Sequence, residues 1–250
     1  MVHQATPEET NARAFQSLCR LGFWSAALTA ACTAVTFAIA ISTPPISGPG
    51  CVSGCVTYPY TAVAAYVPHD YIWMYPAMLL APLFVVLVVC LYQYAAPGRK
   101  LYGLLALAFA LMYAAVISVD YFVQLSVVQP SLLKGEMEGL ALITQYNPHG
   151  IFIALEDLAY LMLSTAFFFL GWVFEGNNRL DGALRWLLRA SGVATVAAFV
   201  GMSIVYGQDL EYRFELVAIS ITWLMLIVGG ILLSVFFRRA ARQFVIMPGK

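Results

Sequence analysis

The chain has 250 residues, of which 62% are hydrophobic and only 10% are charged, and its formal net charge is zero. Soluble domains carry about 25% charged residues, so this chain has too little polar surface for a water-soluble fold. Its Lys and Arg residues form no dense run, which excludes nucleic acid as an expected partner.

The first twenty residues predict a short helix that leads into an apolar segment. Thr6-Pro7-Glu8-Glu9 places Thr at the N-cap, Pro at the first helical position and Glu three positions after the cap, which is a capping box. The apolar run 21–42 is longer than the roughly 7–15 residues of a signal-peptide core. It is therefore predicted to be a transmembrane span.

Six segments have the roughly 20 apolar residues that a transmembrane helix needs. They cover residues 21–42, 72–95, 101–127, 150–174, 185–206 and 214–237. Turn residues separate these segments, and no connection is long enough for a soluble domain. The sequence therefore predicts an all-α, polytopic membrane protein: one six-helix bundle over residues 1–250, with 1–20 as a cytoplasmic helix and 238–250 as a cytoplasmic tail.

Basic residues lie almost entirely at one end of the predicted bundle. That end has Arg13, Arg20, Arg99, Lys100, Arg179, Arg185, Arg189, Arg238, Arg239, Arg242 and Lys250, and the other has Lys134 and Arg213. Lys and Arg accumulate in cytoplasmic loops. Both termini are therefore predicted to be cytoplasmic, and the expected location is a bacterial inner membrane.

The long outer loop between the first two spans, about 43–71, has no Lys or Arg and is rich in Tyr, as is typical of a membrane interface. Residues 56–67 are expected to form a short helix along the outer surface. Cys51 and Cys55 face an oxidising compartment in this topology, so a disulfide and two free thiols are both open alternatives.

Two spans carry small residues four positions apart. The first span has Ala26, Ala30, Ala34 and Ala38, and the fifth has Ala190, Ala194 and Ala198. Such ribbons let transmembrane backbones approach closely. We expect them to pack within one subunit, with homo-oligomerisation through either ribbon as the alternative.

Three carboxylates lie well inside predicted spans, Asp120 in the third and Glu156 with Asp157 in the fourth, while Glu215 lies at the outer end of the sixth. Because the third span rises toward the outer surface and the fourth descends from it, all three are expected in one layer of the outer half. Helical spacing places His149, Glu156 and Tyr160 on one face of the fourth span.

An ionisable group inside a bilayer is costly unless it is paired or hydrated, so this layer is a functional candidate. The candidate ligand- or ion-binding residues are Asp120, Gln124, His149, Glu156, Asp157, Tyr160, Arg213 and Glu215. One proton held between Glu156 and a neighbour is a further expectation. The alternative is that these carboxylates only hydrogen-bond neighbouring side chains and set the helix register.

Three classes of function fit this pattern, and no catalytic residue can be assigned. The first is binding of a small molecule or cation from the outer side, for transport or sensing. The second is a membrane-embedded enzyme whose divalent metal is held by His69, His149, Glu156 and Asp120; a haem held by the two histidines is a further alternative. The third is a non-catalytic membrane subunit or assembly factor.

Overall fold

The computed structural model describes residues 6–246, and within this range the chain is helical with no strand. Six of its helical segments are long and apolar enough to cross a membrane. The prediction of an all-α chain with six such helices is confirmed, and these helices give the chain the make-up of a multi-pass membrane protein. Residues 1–5 of the predicted N-terminal helix and 247–250 of the predicted tail, including Lys250, lie outside the described residues.

Eight α-helices follow one another in the described range. They are α1 (Pro7–Ile41), α2 (Met74–Tyr94), α3 (Lys100–Val123), α4 (Gln129–Lys134), α5 (Leu140–Ile143), α6 (Ile151–Leu170), α7 (Arg179–Tyr206) and α8 (Glu211–Ile246). The six long helices are all of these except α4 and α5, which lie in the connection between α3 and α6.

Helix α1 begins where the capping box was predicted. The Thr6 side chain accepts a hydrogen bond from the Glu9 backbone N–H (3.3 Å), and the Glu9 carboxylate accepts one from the Thr6 N–H (2.9 Å). These bonds satisfy donors that have no partner within the helix. From this cap the helix runs without a break to Ile41, so the predicted N-terminal helix and first span form one element.

The third span extends beyond its predicted end at residue 127. After α3 the chain makes one wider π-helical turn over Gln124–Val128 and continues as α4 to Lys134. Pro130 does not end the helix; it is the second residue of α4, directly after the π turn. The helix ends instead at Gly135, which has a positive φ of 73°.

The connection between α1 and α2 contains only 3₁₀ turns. The expected helix over 56–67 is a 3₁₀ segment at Thr61–Tyr66, because the flanking Pro59 and Pro68 cannot donate to a helix ladder. Within this connection Cys51 and Cys55 form a disulfide with an S–S distance of 2.03 Å.

The six long helices form a closed ring in which each packs against its neighbours in the chain and α8 returns to α1, while α6 also contacts α8. Successive helices run in opposite directions, so the connections gather at two ends. We call the end with connections 95–99 and 171–178 the basic end. The end with connections 42–73, 124–150 and 207–210 is the acidic end.

Glycines mark the closest helix crossings. A Cβ atom on Gly230 of α8 would lie 2.8 Å from the Ala26 carbonyl oxygen and 2.9 Å from the Ala30 Cβ of α1. A Cβ on Gly192 of α7 would lie 2.6 Å from the Ser164 carbonyl oxygen of α6. Small residues thus bring α1 against α8 and α6 against α7, as expected for helices packed in a membrane.

Only part of the predicted alanine ribbons takes part in this packing. Ala26 and Ala30 are buried, whereas Ala34, Ala38, Ala190 and Ala194 are exposed, so the expectation of packing within the subunit is wrong for these four. The buried face of α1 also includes Cys19, Gly22, Ser25, Thr29, Thr33 and Thr36. The hydroxyls of Ser25, Thr33 and Thr36 donate to backbone carbonyl oxygens of the same helix, which permits their burial.

Candidate functional site

Glu156 is the centre of a buried hydrogen-bond network between α3 and α6. Its side chain is 0% exposed, and its Oε1 accepts hydrogen bonds from the hydroxyls of Tyr121 (2.5 Å) and Tyr160 (3.4 Å). The two hydroxyls lie 3.3 Å apart. Tyr160 is one turn after Glu156 and shares its face of α6, while α3, which packs against α6, supplies Tyr121.

Three further carboxylic acids surround this network. Asp120 is 2% exposed, and its Oδ2 is buried without a hydrogen-bond partner among the described residues, as are Oε2 of Glu156 and Oδ1 of Asp157. Glu215 of α8 interacts electrostatically with all three, most strongly with Glu156. The structure therefore brings together the three acids that the sequence places in one layer, and adds Glu215 from the last helix.

The ion pairs of the described chain lie elsewhere and involve none of these four acids. A charged carboxylate without a partner is strongly disfavoured away from water. The fully buried Asp120 and Glu156 must therefore hold a proton, share one with a neighbour, or meet a cation from outside the chain, whereas Asp157 and Glu215 are half-buried and water can also solvate them.

A cavity of about 490 Å³ opens at the acidic end beside this cluster. It lies between the end of α1, the connection at 43–50 and the start of α8. Its principal apolar walls are Phe37, Trp73 and Trp223, and its principal polar groups are Asp70, Tyr212 and Glu215. The lining residues include two carboxylic acids and no Lys, Arg or His.

Trp73 and Glu215 connect the cavity to the buried network. The Trp73 ring packs edge-on against Tyr121, with centroids 5.3 Å apart, and lies 6.3 Å from the Trp223 ring. Glu215 lines the cavity and also interacts with Glu156. A ligand in the cavity is thus separated from the Tyr121–Glu156 hydrogen bond by one side chain.

A second network of polar side chains also lines the cavity. The Tyr146 hydroxyl donates to Oδ2 of the buried Asp70 (3.1 Å), and the Gln145 amide donates to the Asp70 carbonyl oxygen (3.3 Å). The Tyr212 hydroxyl donates to the Gln145 carbonyl oxygen (3.0 Å). Burial, reinforced by the nearby Tyr71 and Asp70, raises the pKa of Tyr146, so its phenol stays protonated as a donor to Asp70.

Several predicted site residues have other contacts. Gln124 donates to the Ile143 carbonyl oxygen (2.5 Å) and accepts from the Gln145 N–H (3.2 Å), so it ties the π turn to α5. His149 and Arg213 both face Glu211, at 3.5 and 3.0 Å, on the rim of the acidic end. The side chains of these three residues form no hydrogen bond or ion pair with the four clustered acids in the part of the chain that the structure describes.

The four residues considered for a metal are not brought together. His69 is largely exposed and bonds to the neighbouring Asp70 (3.1 Å), His149 faces Glu211, and Asp120 and Glu156 lie inside the bundle. Across residues 6–246 no group of three or more His, Cys, Asp or Glu side chains is arranged to hold a metal ion. The two histidines considered for a haem are both largely exposed, His69 beside Asp70 and His149 beside Glu211.

Sequence reasoning missed Tyr121 and the aromatic walls of the cavity. Tyr121 directly follows Asp120, but nothing in the sequence distinguishes it from the other tyrosines. Phe37, Trp73 and Trp223 come from three separate parts of the chain, and a single sequence contains no signal that relates them.

Comparison with known proteins gives no relative to argue from: no protein-family model, curated protein or solved structure matches this chain.

Proposed function

We propose that this protein binds a small organic cation in the cavity at its acidic end, for transport or sensing across the membrane. The observation that carries this proposal is the position of Glu215. Its carboxyl group lines a cavity without basic residues and is also part of a buried acid cluster that has no cationic partner in the described chain.

The chemistry of the walls favours an organic over a bare inorganic cation. Aromatic rings attract a positive charge through their negative faces, and they bury the apolar body of a ligand. Trp73, Trp223 and Phe37 supply such surfaces, while Glu215 and Asp70 supply the negative charge. Ligand pockets commonly combine apolar walls with a few polar groups that orient the ligand.

We further propose that the basic end faces the cytoplasm and that the membrane is a bacterial inner membrane. Of the thirteen Lys and Arg residues, ten belong to the basic end, two (Lys134 and Arg213) belong to the acidic end, and Lys250 lies outside the described residues; this distribution is in keeping with the positive-inside rule. In this orientation the cavity takes its ligand from the outer side.

Two ions of matched shape and opposite charge test whether the cavity binds a cation. We expect tetraphenylphosphonium to change the tryptophan fluorescence of the detergent-purified protein, because Trp73 and Trp223 line the cavity, and tetraphenylborate of the same shape to have little effect. Replacing Glu215 with Gln should weaken cation binding about tenfold, since it removes one charge-assisted contact. Glu138→Gln is the control, because it removes an exposed carboxylate of the same end that does not line the cavity.

Equal binding of the two ions, or unchanged binding in Glu215→Gln, would contradict the proposal. If binding is found, proteoliposomes separate the two roles. Uptake of tetraethylammonium that depends on Glu215 indicates transport, whereas ligand binding without uptake indicates sensing.

A further inference from the structure

Three arginines surround the turn between α6 and α7 at the basic end, and only one of them has both hydrogen bonds and an ion pair. Arg99 donates from Nη1 to the carbonyl oxygens of Trp172 (2.8 Å) and Phe174 (2.9 Å), and its Nε lies 3.6 Å from the Glu175 carboxylate. Arg99 therefore fixes the connection 171–178 against the start of α3.

Arg189 is buried without a counter-charge. It is 7% exposed, and its guanidinium carbon lies 3.5 Å from the centre of the Trp172 ring. Its Nε and Nη2 atoms are buried and have no hydrogen-bond partner among the described residues. The stacking on Trp172 engages the face of the guanidinium, whereas its N–H donors lie in the plane and remain unused.

Arg185 lies one turn before Arg189 on the same face of α7. Its Nη1 donates to the Glu175 carbonyl oxygen (3.1 Å), and its Nε is buried without a partner in the described part of the chain. Neither arginine forms an ion pair with a carboxylate of residues 6–246. Arg189 instead experiences the like charges of Arg185 and Arg99.

An uncompensated buried cation such as Arg189 is costly, and the half-buried Arg185 beside it adds a second positive charge. We propose that Arg185 and Arg189 together bind the phosphate group of a ligand at the basic end. Nη1 of Arg189 and Nη2 of Arg185 are not among the fully buried, unpartnered atoms, so these are the nitrogens we assign as donors to the ligand. Because the charge of a guanidinium is delocalised, an oxyanion at these atoms compensates both groups.

The depth of the pair favours a lipid headgroup over a free phosphate. Arg189 lies ten residues into α7, about 15 Å from its start. Trp186, which is 66% exposed, lies between the two arginines in sequence, and its ring is 5.8 Å from the Arg189 guanidinium. Exposed Trp residues mark the headgroup level of a bilayer, where phosphates are abundant.

The test compares anionic with neutral lipid in the full-length protein. In nanodiscs that contain phosphatidylglycerol we expect a higher unfolding temperature than in pure phosphatidylcholine, and phosphatidylglycerol binding should weaken about tenfold in Arg185→Gln and Arg189→Gln. Arg238→Gln is the matched control, since it removes an exposed positive charge from the same end. Adding inorganic phosphate to phosphatidylcholine nanodiscs, at constant ionic strength, tests the soluble source.

Stabilisation by phosphatidylglycerol that both variants lose supports a lipid site, and stabilisation by inorganic phosphate that both variants lose supports a soluble ligand. No stabilisation by either, or equal stabilisation in the variants and the control, overturns the proposal. If Arg189→Gln does not fold, Arg185→Gln decides the question, because its side chain is less buried. The site is independent of the cavity at the acidic end.

Discussion

Glu156 illustrates how much one buried side chain depends on its immediate partners. Its Oε1 accepts two phenolic donors, while Oε2 has no partner among the described residues. Hydrogen bonds to charged groups contribute about 1.5–3 kcal/mol, and neutral ones about 1 kcal/mol. The hydroxyl of Tyr121, at 2.5 Å, is the closer of the two donors.

We therefore expect Tyr121→Phe to lower the free energy of unfolding by about 1–3 kcal/mol, because the buried carboxyl group loses its closest donor. Reversible unfolding in mixed micelles measures this change. Tyr113→Phe is the matched control, since Tyr113 is also buried in α3 but makes no hydrogen bond within residues 6–246. Equal losses in the two variants would mean that the hydroxyl of Tyr121 contributes nothing specific.

The sequence identified the acids of this site more readily than their partners. Asp120, Glu156 and Asp157 are conspicuous because charges are rare in apolar spans. Tyr121 and Trp73 do not stand out, because aromatic residues are common in such spans as ordinary packing groups. Gln124 was grouped with the acids from its helical spacing, but the π turn that begins at Gln124 directs its side chain to Ile143 and Gln145.

Helices α6 and α7 illustrate packing that depends on a single missing side chain. A Cβ on Gly192 would meet the Ser164 carbonyl oxygen at 2.6 Å and the Phe168 Cβ at 2.8 Å. Since a backbone oxygen cannot rotate away, any larger residue at this position must separate the two helices.

We expect Gly192→Leu to destabilise the protein by at least about 1–3 kcal/mol, the range for overpacked cores. Gly201→Leu on the same helix is the control, because nothing lies within 4 Å of the position its Cβ would take. The unfolding midpoint in detergent should fall for the first variant and stay unchanged or rise slightly for the second. A similar fall in both would show that the crossing at Gly192 tolerates a larger separation.

Helix boundaries were less predictable than the helices themselves. The apolar segments gave the number and order of the six long helices, but α3 was predicted to end before Pro130 and instead continues through a π turn into α4. Alanine spacing likewise could not show which side of α1 or α7 is buried, because Ser, Thr and Gly pack as closely as Ala does.

At the scale of the whole molecule, the concentration of Lys and Arg at one end predicts the orientation. In a cysteine-free variant we expect Glu138→Cys at the acidic end to react with an impermeant maleimide in intact cells. Asn177→Cys at the basic end should react only after permeabilisation, because the positive-inside rule places that end in the cytoplasm. The reverse pattern would invert the topology and place the cavity opening on the cytoplasmic side.

Local properties of the sequence determined the all-helical class, the six apolar helices and the capping box of α1, because hydropathy, composition and capping are decided within about twenty consecutive residues. Charge counts along the chain supplied the predicted orientation. The cavity, the meeting of Glu215 with Glu156, and the uncompensated Arg189 beside Trp172 were decided only by the tertiary structure. They depend on the rotation of each helix about its axis and on which helices become neighbours, and both are set by side-chain packing across the whole bundle.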